Sequence, residues 1–197
     1  MNIREHTPQR TCKKKYKNYR QYKDYLREDF QHKCGYCNDD DMWSGGKSFY
    51  HIDHFAPKSL FSSLENEYSN LVYSCPFCNR AKSNDWVGET YEVSINEEKG
   101  IGYIDPCSYE YNRHLKRNAD GSISPTSEIG EYMWNSLSLY LLRHRTISLT
   151  NEIFLLKRKL RDIANKKKDF DDERIEILNL ICELDEKFDE YFSYLNV

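Results

Sequence analysis

Cys34-Gly35-Tyr36-Cys37, His51-Ile52-Asp53-His54-Phe55-Ala56-Pro57-Lys58, Asn70-Leu71 and Cys75-Pro76-Phe77-Cys78-Asn79-Arg80-Ala81-Lys82 all fall in one stretch, residues 34–82, whose reading decides the fold. One Cys-x-x-Cys pair is a weak signal, but two matched pairs make a tetrahedral thiolate set for zinc. Cys34, Cys37, Cys75 and Cys78 are soft ligands suited to zinc at ~2.3 Å, and four of them close the shell against water. The expected ion is therefore structural. An iron–sulfur cluster also takes four cysteines but is less expected from paired knuckles. Gly35 is expected to allow the turn that aims the first two sulfurs at one ion.

The chain has 197 residues, 39% hydrophobic and 31% charged, enough for one domain or a small domain with an extension. Its seven cysteines fit metal ligation better than a disulfide framework, with Cys12, Cys107 and Cys182 as bystanders. No apolar run approaches the ~20 residues that span a bilayer, and residues 1–10 hold no apolar signal segment, so a cytoplasmic protein without membrane contact is expected. Net charge is −3 overall, yet residues 1–33 carry ten cations against four acids, a local +6 that leaves −9 for the rest. Such a basic arm reads as a docking surface for phosphate.

An α+β chain is expected, in four parts: a basic, Tyr-rich helical arm over 1–33, a core over 34–90, a strand and hairpin connection over 91–125, and a helical region over 126–197. In the arm, Tyr16, Tyr19, Tyr22 or Tyr25, Leu26 and Phe30 recur at helical spacing, predicting one helix from Lys13 to Phe30, either on a backbone groove or merely solvated. In the core, a loop over 38–47 precedes a strand from Ser48 to His54, which Pro57 ends. An irregular connection from Leu60 to Tyr68 leads to a second strand, Leu71 to Ser74, and a helix begins at Pro76. Tyr91 to Ile104 carries weak strand signals, and His114 to Pro125 reads as a hairpin turning at Asn118-Ala119-Asp120-Gly121. Ile129, Met133, Leu137 and Tyr140 form one later stripe; Leu149, Ile153, Leu156, Leu160 and Ile163 form another, with Lys166-Lys167-Lys168 as its solvated end. Ile177, Ile181, Leu184, Phe188, Tyr191 and Leu195 make a seam for helix packing, within the chain or against a partner protein.

A second, harder site emerges from the same stretch. Asp53 offers a carboxylate and Asn79 an amide carbonyl, which suit Mg²⁺ or Mn²⁺ rather than zinc. His54 is neutral near pH 7 and suited to take a proton from water, provided the strand frays enough for Asp53 and His54 to flank one cleft. Asn70 is expected to fix the loop presenting His54, and Lys58, Arg80 and Lys82 to contact flanking phosphates. His51 shares a face with Asp53, so it is a ligand, a substrate contact or a packing residue. His6, His32 and His144 read as ordinary surface or core histidines, and His114 is undecided.

Together Cys34/Cys37, Asp53-His54-x-x-Pro57, Asn70-Leu71 and Cys75-x-x-Cys78-Asn79-x-x-Lys82 resemble the HNH endonuclease superfamily, whose fold is the ββα-metal finger. The resemblance implies His54 as general base, Asp53 and Asn79 as ligands of a catalytic Mg²⁺ or Mn²⁺, Asn70 as the structural asparagine, and cleavage leaving a 5′-phosphate. Many members carry His where this chain has Asn79. The basic arm, Ile104-Asp105-Pro106, His114, Asp120 to Pro125 and a tail with Arg143 and Arg145 further resemble short HNH nucleases of bacterial anti-phage systems, such as the Septu nuclease-subunit family, PtuB. That resemblance implies a defence role and an ABC-type ATPase as partner, while the constellation of the core points to a metal-dependent phosphodiesterase with DNA as the expected substrate. An RNA-cleaving (for instance tRNA-cleaving) nuclease, or a non-catalytic zinc-stabilised nucleic-acid-binding or adaptor module, fits the same residues.

Overall fold

The computed structural model describes all residues except 89–91, 94–95, 168–170 and 196–197. Two strands pair antiparallel at its centre: β1 (His51–His54) with β2 (Leu71–Ser74), in the register Asp53↔Val72 and His54↔Leu71. Helix α2 (Pro76–Lys82) follows at once, with proline where a first-turn amide has no partner to lose and with the Cys75 sulfur accepting from the Cys78 amide. Every residue of β2 is buried, as a strand covered on both faces requires.

Helix α1 (Lys23–Asp29) covers β2 with Leu26 and Phe30, preceded by a single 3₁₀ turn, Tyr19–Tyr22. The helix expected from Lys13 is thus cut short. Asn18 caps the 3₁₀ turn through Arg20 N, and the preceding chain folds back along α1. Thr11 N and Oγ1 donate to the Asp29 carboxylate at 2.6 and 2.7 Å, and Tyr16 N donates to Tyr22 Oη at 2.9 Å. Tyr16 therefore meets Tyr22 (4.9 Å between ring centres) by chain reversal, and three adjacent lysines, residues 13–15, stay exposed outside any helix or strand.

The strand expected from Ser48 begins only at His51, because 3₁₀ turns at Asp41–Ser44 and Gly46–Ser48 occupy the preceding segment. Downstream, β3 (Glu97–Glu98) pairs with β4 (Ile101–Gly102), while the start of the expected strand signal at Tyr91 lies outside the described residues. Helix α3 (Tyr111–His114) runs into the hairpin of β5 (Leu115–Arg117) and β6 (Ile123–Pro125), turned at the predicted position by a Gly121 N to Asn118 O bond. His114, undecided from sequence, pairs through Nδ1 with Ser127 Oγ (2.7 Å), the cap of α4 (Glu128–Ser136). There α4 presses on the His114 carbonyl so closely that a Cβ at Gly130 would lie 1.9 Å from it.

Two long helices, α5 (Leu142–Ala164) and α6 (Asp172–Ser193), pack together. The α6 seam faces inward, with Ile181 buried and Ile177, Leu184, Phe188 and Tyr191 half-buried. On α5 the predicted stripe is rotated: Leu156 and Ile163 are 44% and 46% exposed, while His144, Ile147, Thr150, Lys157 and Ala164 are buried. The first half of α5 packs on the body as well as on α6, so its covered face is set by both neighbours. Lys157 is buried because it ion-pairs with Asp185 and lies over the Phe188 ring. Trp43 anchors the helix pair to the core, donating to Asn151 and meeting Phe154 and Phe188 edge-on. Lys168 of the expected solvated lysine run is outside the described residues. Among the described residues no helix is long and apolar enough to cross a membrane.

Candidate active site

The cysteine centre is built first, because it joins the loop before β1 to the start of α2. The Sγ atoms of Cys34, Cys37, Cys75 and Cys78 lie within 4.8 Å of one another, all four buried and none in a disulfide. Cys37 and Cys75 Sγ are 3.8 Å apart, the edge of a tetrahedron whose corners sit ~2.3 Å from a zinc. The donor set fits a structural zinc. Tyr36 N donates to Cys34 Sγ and Cys78 N to Cys75 Sγ at 3.4 Å, amide dipoles that favour thiolates.

Cationic and polar donors from distant segments hold this knuckle from outside. Arg4 donates to Gly35 O and Pro106 O, Arg117 to Cys37 O, and Tyr111 Oη to Tyr36 O. Four thiolates around Zn²⁺ leave two negative charges, which Arg4 and Arg117 face from the second layer. Arg4 is thus buried in the core and Arg10 is bound to Leu71 O and Asp105. Neither belongs to an exposed phosphate-docking arm, and only the cations from Lys13 to Arg20 keep that character. Gly35 serves closeness of approach rather than the turn: a Cβ there would lie 2.6 Å from Val72 and 2.7 Å from Phe30, whereas Asn38 takes the left-handed conformation (φ 63°).

Beside this centre opens a cavity of about 440 Å³ lined by His51, Asp53, His54, Lys58, Asn79 and Arg80, with Tyr19 at its rim. Asp53 and His54 both reach it because β1 ends at His54. Asn70 pins the departing chain: Ala56 N donates to its Oδ1 at 2.8 Å, and its Nδ2 donates to Ala56 O at 3.0 Å.

His54 Nε2 lies 2.9 Å from Glu65 O. A carbonyl only accepts, so Nε2 carries the proton and Nδ1 keeps the lone pair that makes a base. Burial holds the imidazole below its ordinary pKa, partly offset by the Glu65 carbonyl and the Asp53 charge, so neutral His54 prevails at pH 7. The Tyr19 ring meets it edge-on at 4.7 Å.

Asp53 is 7% exposed. Tyr36 Oη donates to its Oδ2 at 2.5 Å, and Lys82 Nζ is 3.6 Å from the same oxygen. Burial raises the carboxyl's pKa, while Lys82 and Tyr36 act against the rise. Burial, then the Asp53 charge, keeps the Tyr36 hydroxyl well above its ordinary pKa and so a donor. Both contacts fall on Oδ2, and the Asp53 carboxylate lines the cavity together with Asn79. These are hard oxygen donors at a desolvated carboxylate, and they fit Mg²⁺ or Mn²⁺.

Lys82 departs from its expected role. It is 0% exposed and donates to His54 O at 3.1 Å, so it braces Asp53 and His54 from behind and cannot touch a phosphate. Lys58 and Arg80 line the cavity and are exposed, Lys58 paired with Glu65 at 3.1 Å, and His51 is exposed beside them. Tyr36, Tyr19 and the Glu65 carbonyl escaped the sequence reading. Tyr36 alone had a signal, lying between the knuckle cysteines, while a backbone carbonyl leaves no trace in residue type.

Residues 34–85 match the family model for HNH endonucleases. The match covers about a quarter of the chain and, with the four-cysteine cluster, supports placing this segment in the HNH superfamily, whose members are phosphodiester hydrolases that use divalent metals. No curated protein and no solved structure matched the chain. In the HNH segment the matched residues include both knuckles, both strands and α2, so they contain the cavity's His54, Asp53 and Asn79.

Proposed function

We propose that this chain is a metal-dependent HNH endonuclease that hydrolyses phosphodiester bonds of DNA, its β1, β2 and α2 forming the family's ββα-metal core. The observation that carries the reading is the tie of His54 Nε2 to Glu65 O at the wall of a cavity shared with Asp53 and Asn79. His54 Nδ1 takes the proton of a water aimed at the phosphorus, while Lys58 and Arg80 hold flanking phosphates. Asp53 and Asn79 would hold Mg²⁺ or Mn²⁺, which when bound neutralises charge developing on the phosphate and leaving oxygen. Lys82 and Tyr36 hold Asp53 in place and oppose the protonation that its burial favours. The test is nicking of supercoiled plasmid with each cation, wild type against His54→Ala: loss of nicking in the variant is expected, and persistent nicking would remove His54 from the role of base. The same panel with RNA separates DNA from RNA as substrate.

The resemblance to short anti-phage nucleases extends the proposal to a cytoplasmic defence effector working beside an ABC-type ATPase. The α5–α6 pair is the surface we assign to such a partner: Leu155, Leu156 and Ile163 on α5 and Ile175, Leu178 and Leu180 on α6 are all exposed. Co-purification with and without the last two helices tests it, with loss of the ATPase expected on their removal. In the four-part division, 1–33, 34–90, 91–125 and 126–197, we retain 126–197 as this docking region.

A further inference from the structure

We propose that an apolar recess adjoining the HNH cavity receives an unstacked nucleobase of the substrate, so that the preferred substrate is single-stranded or locally opened beside the cut. The inference rests on the phosphodiesterase reading and names its substrate class.

The recess has a volume of about 300 Å³ and is walled by Phe49, Phe77 and Leu141. It adjoins the catalytic cavity: Pro76 and Arg80 line both. Phe49 is 47% exposed, a large ring left in water at the recess mouth. The Phe77 ring is held in place by the Arg143 guanidinium, 4.3 Å from its centre, and Arg143 is itself bound to Ser44 Oγ. Aromatic rings and guanidinium planes are the groups on which splayed bases stack.

The opposite end of the catalytic cavity differs in character. There a shallow recess lined by Lys17, Arg20 and Asn66 shares Tyr19 and Lys58 with the cavity. The cavity of His54, Asp53 and Asn79 thus shares Tyr19 and Lys58 with a cationic recess, and Pro76 and Arg80 with an apolar one. A phosphate backbone is satisfied in the first but finds mostly carbon in the second. A base, whose face is apolar, is satisfied there, while Arg80 on the shared wall holds the phosphate beside it. A base locked in a duplex stack cannot enter, whereas one already unpaired enters at least cost.

The test uses the full-length, zinc-loaded protein. With His54→Ala to prevent cutting, fluorescent single strands and matching duplexes are titrated, and 2-aminopurine is moved along the single strand one position at a time. Tighter binding of the single strand is expected, with altered 2-aminopurine emission at one position. Phe49→Ala, checked for an unchanged melting curve, should abolish that signal and weaken single-strand binding about tenfold, while Phe49→Trp retains both. With the wild-type enzyme, an abasic site at the reporting position should slow cleavage about tenfold, and abasic sites elsewhere should not. Equal binding of duplex and single strand with no position-dependent signal, or an indifferent Phe49→Ala, overturns the proposal. A positional signal without cutting under any cation leaves the recess standing and removes the nuclease reading. Cutting that ignores Phe49 does the reverse.

Discussion

The cysteine centre and the His54 cavity share helix α2, yet they are finished differently. At the first, all four sulfurs are buried, and the carbonyls of Gly35, Tyr36 and Cys37 are capped by Arg4, Tyr111 and Arg117. At the second, Tyr36 holds Asp53 and the Glu65 carbonyl holds His54, and both residues line an open cavity. A closed shell stores folding energy, while an open one keeps lone pairs for a substrate. The difference lies in how many donors the surrounding chain supplies to each.

If that contrast is right, the two halves should fail in different ways. Cys75→Ser, or a strong zinc chelator, should have the largest effect, unfolding the core and abolishing cooperative melting and nicking together. A variant that lost zinc yet melted normally would break the comparison. His54→Ala should lower the nicking rate about 10²- to 10⁴-fold while moving the melting temperature little. Loss of stability with activity retained would reverse the two roles. Lys82→Met tests the brace between the two halves: it strands a buried carboxylate and the His54 carbonyl, so denaturant melts should show a loss of about 3 kcal/mol, with weaker activity. A neutral outcome would mean that Asp53 does not need its cation.

The smallest expected effect is on pH dependence. Because burial lowers the His54 pKa, its base form predominates at pH 7, and the acid limb of activity should be centred below the ordinary histidine value of about 6.5. A rate profile in saturating Mn²⁺ should rise to a plateau and fall on the acid side with that midpoint. An acid limb centred above pH 6.5 would mean His54 is stabilised as a cation and cannot be the base.

Residue type and spacing were enough to read the two knuckles, the strand Leu71–Ser74, the helix from Pro76, the hairpin turn at 118–121 and the inward seam of α6. All of these are local: each depends on neighbours a few positions away or on a thiolate's affinity for zinc. Gathering His54, Asp53 and Asn79 at one cavity depended on where β1 stops, and the Asn70 clamp to Ala56 decides that from fourteen positions downstream. The reversal of the arm over α1, the inward turn of Lys82, the burial of Arg4, the pairing of Arg10 with Asp105 and the rotated face of α5 were decided only by tertiary structure. A charged side chain goes wherever a distant carbonyl or carboxylate can satisfy it, and a helix buries whichever face its neighbours cover. Neither partner is written into the segment's own sequence.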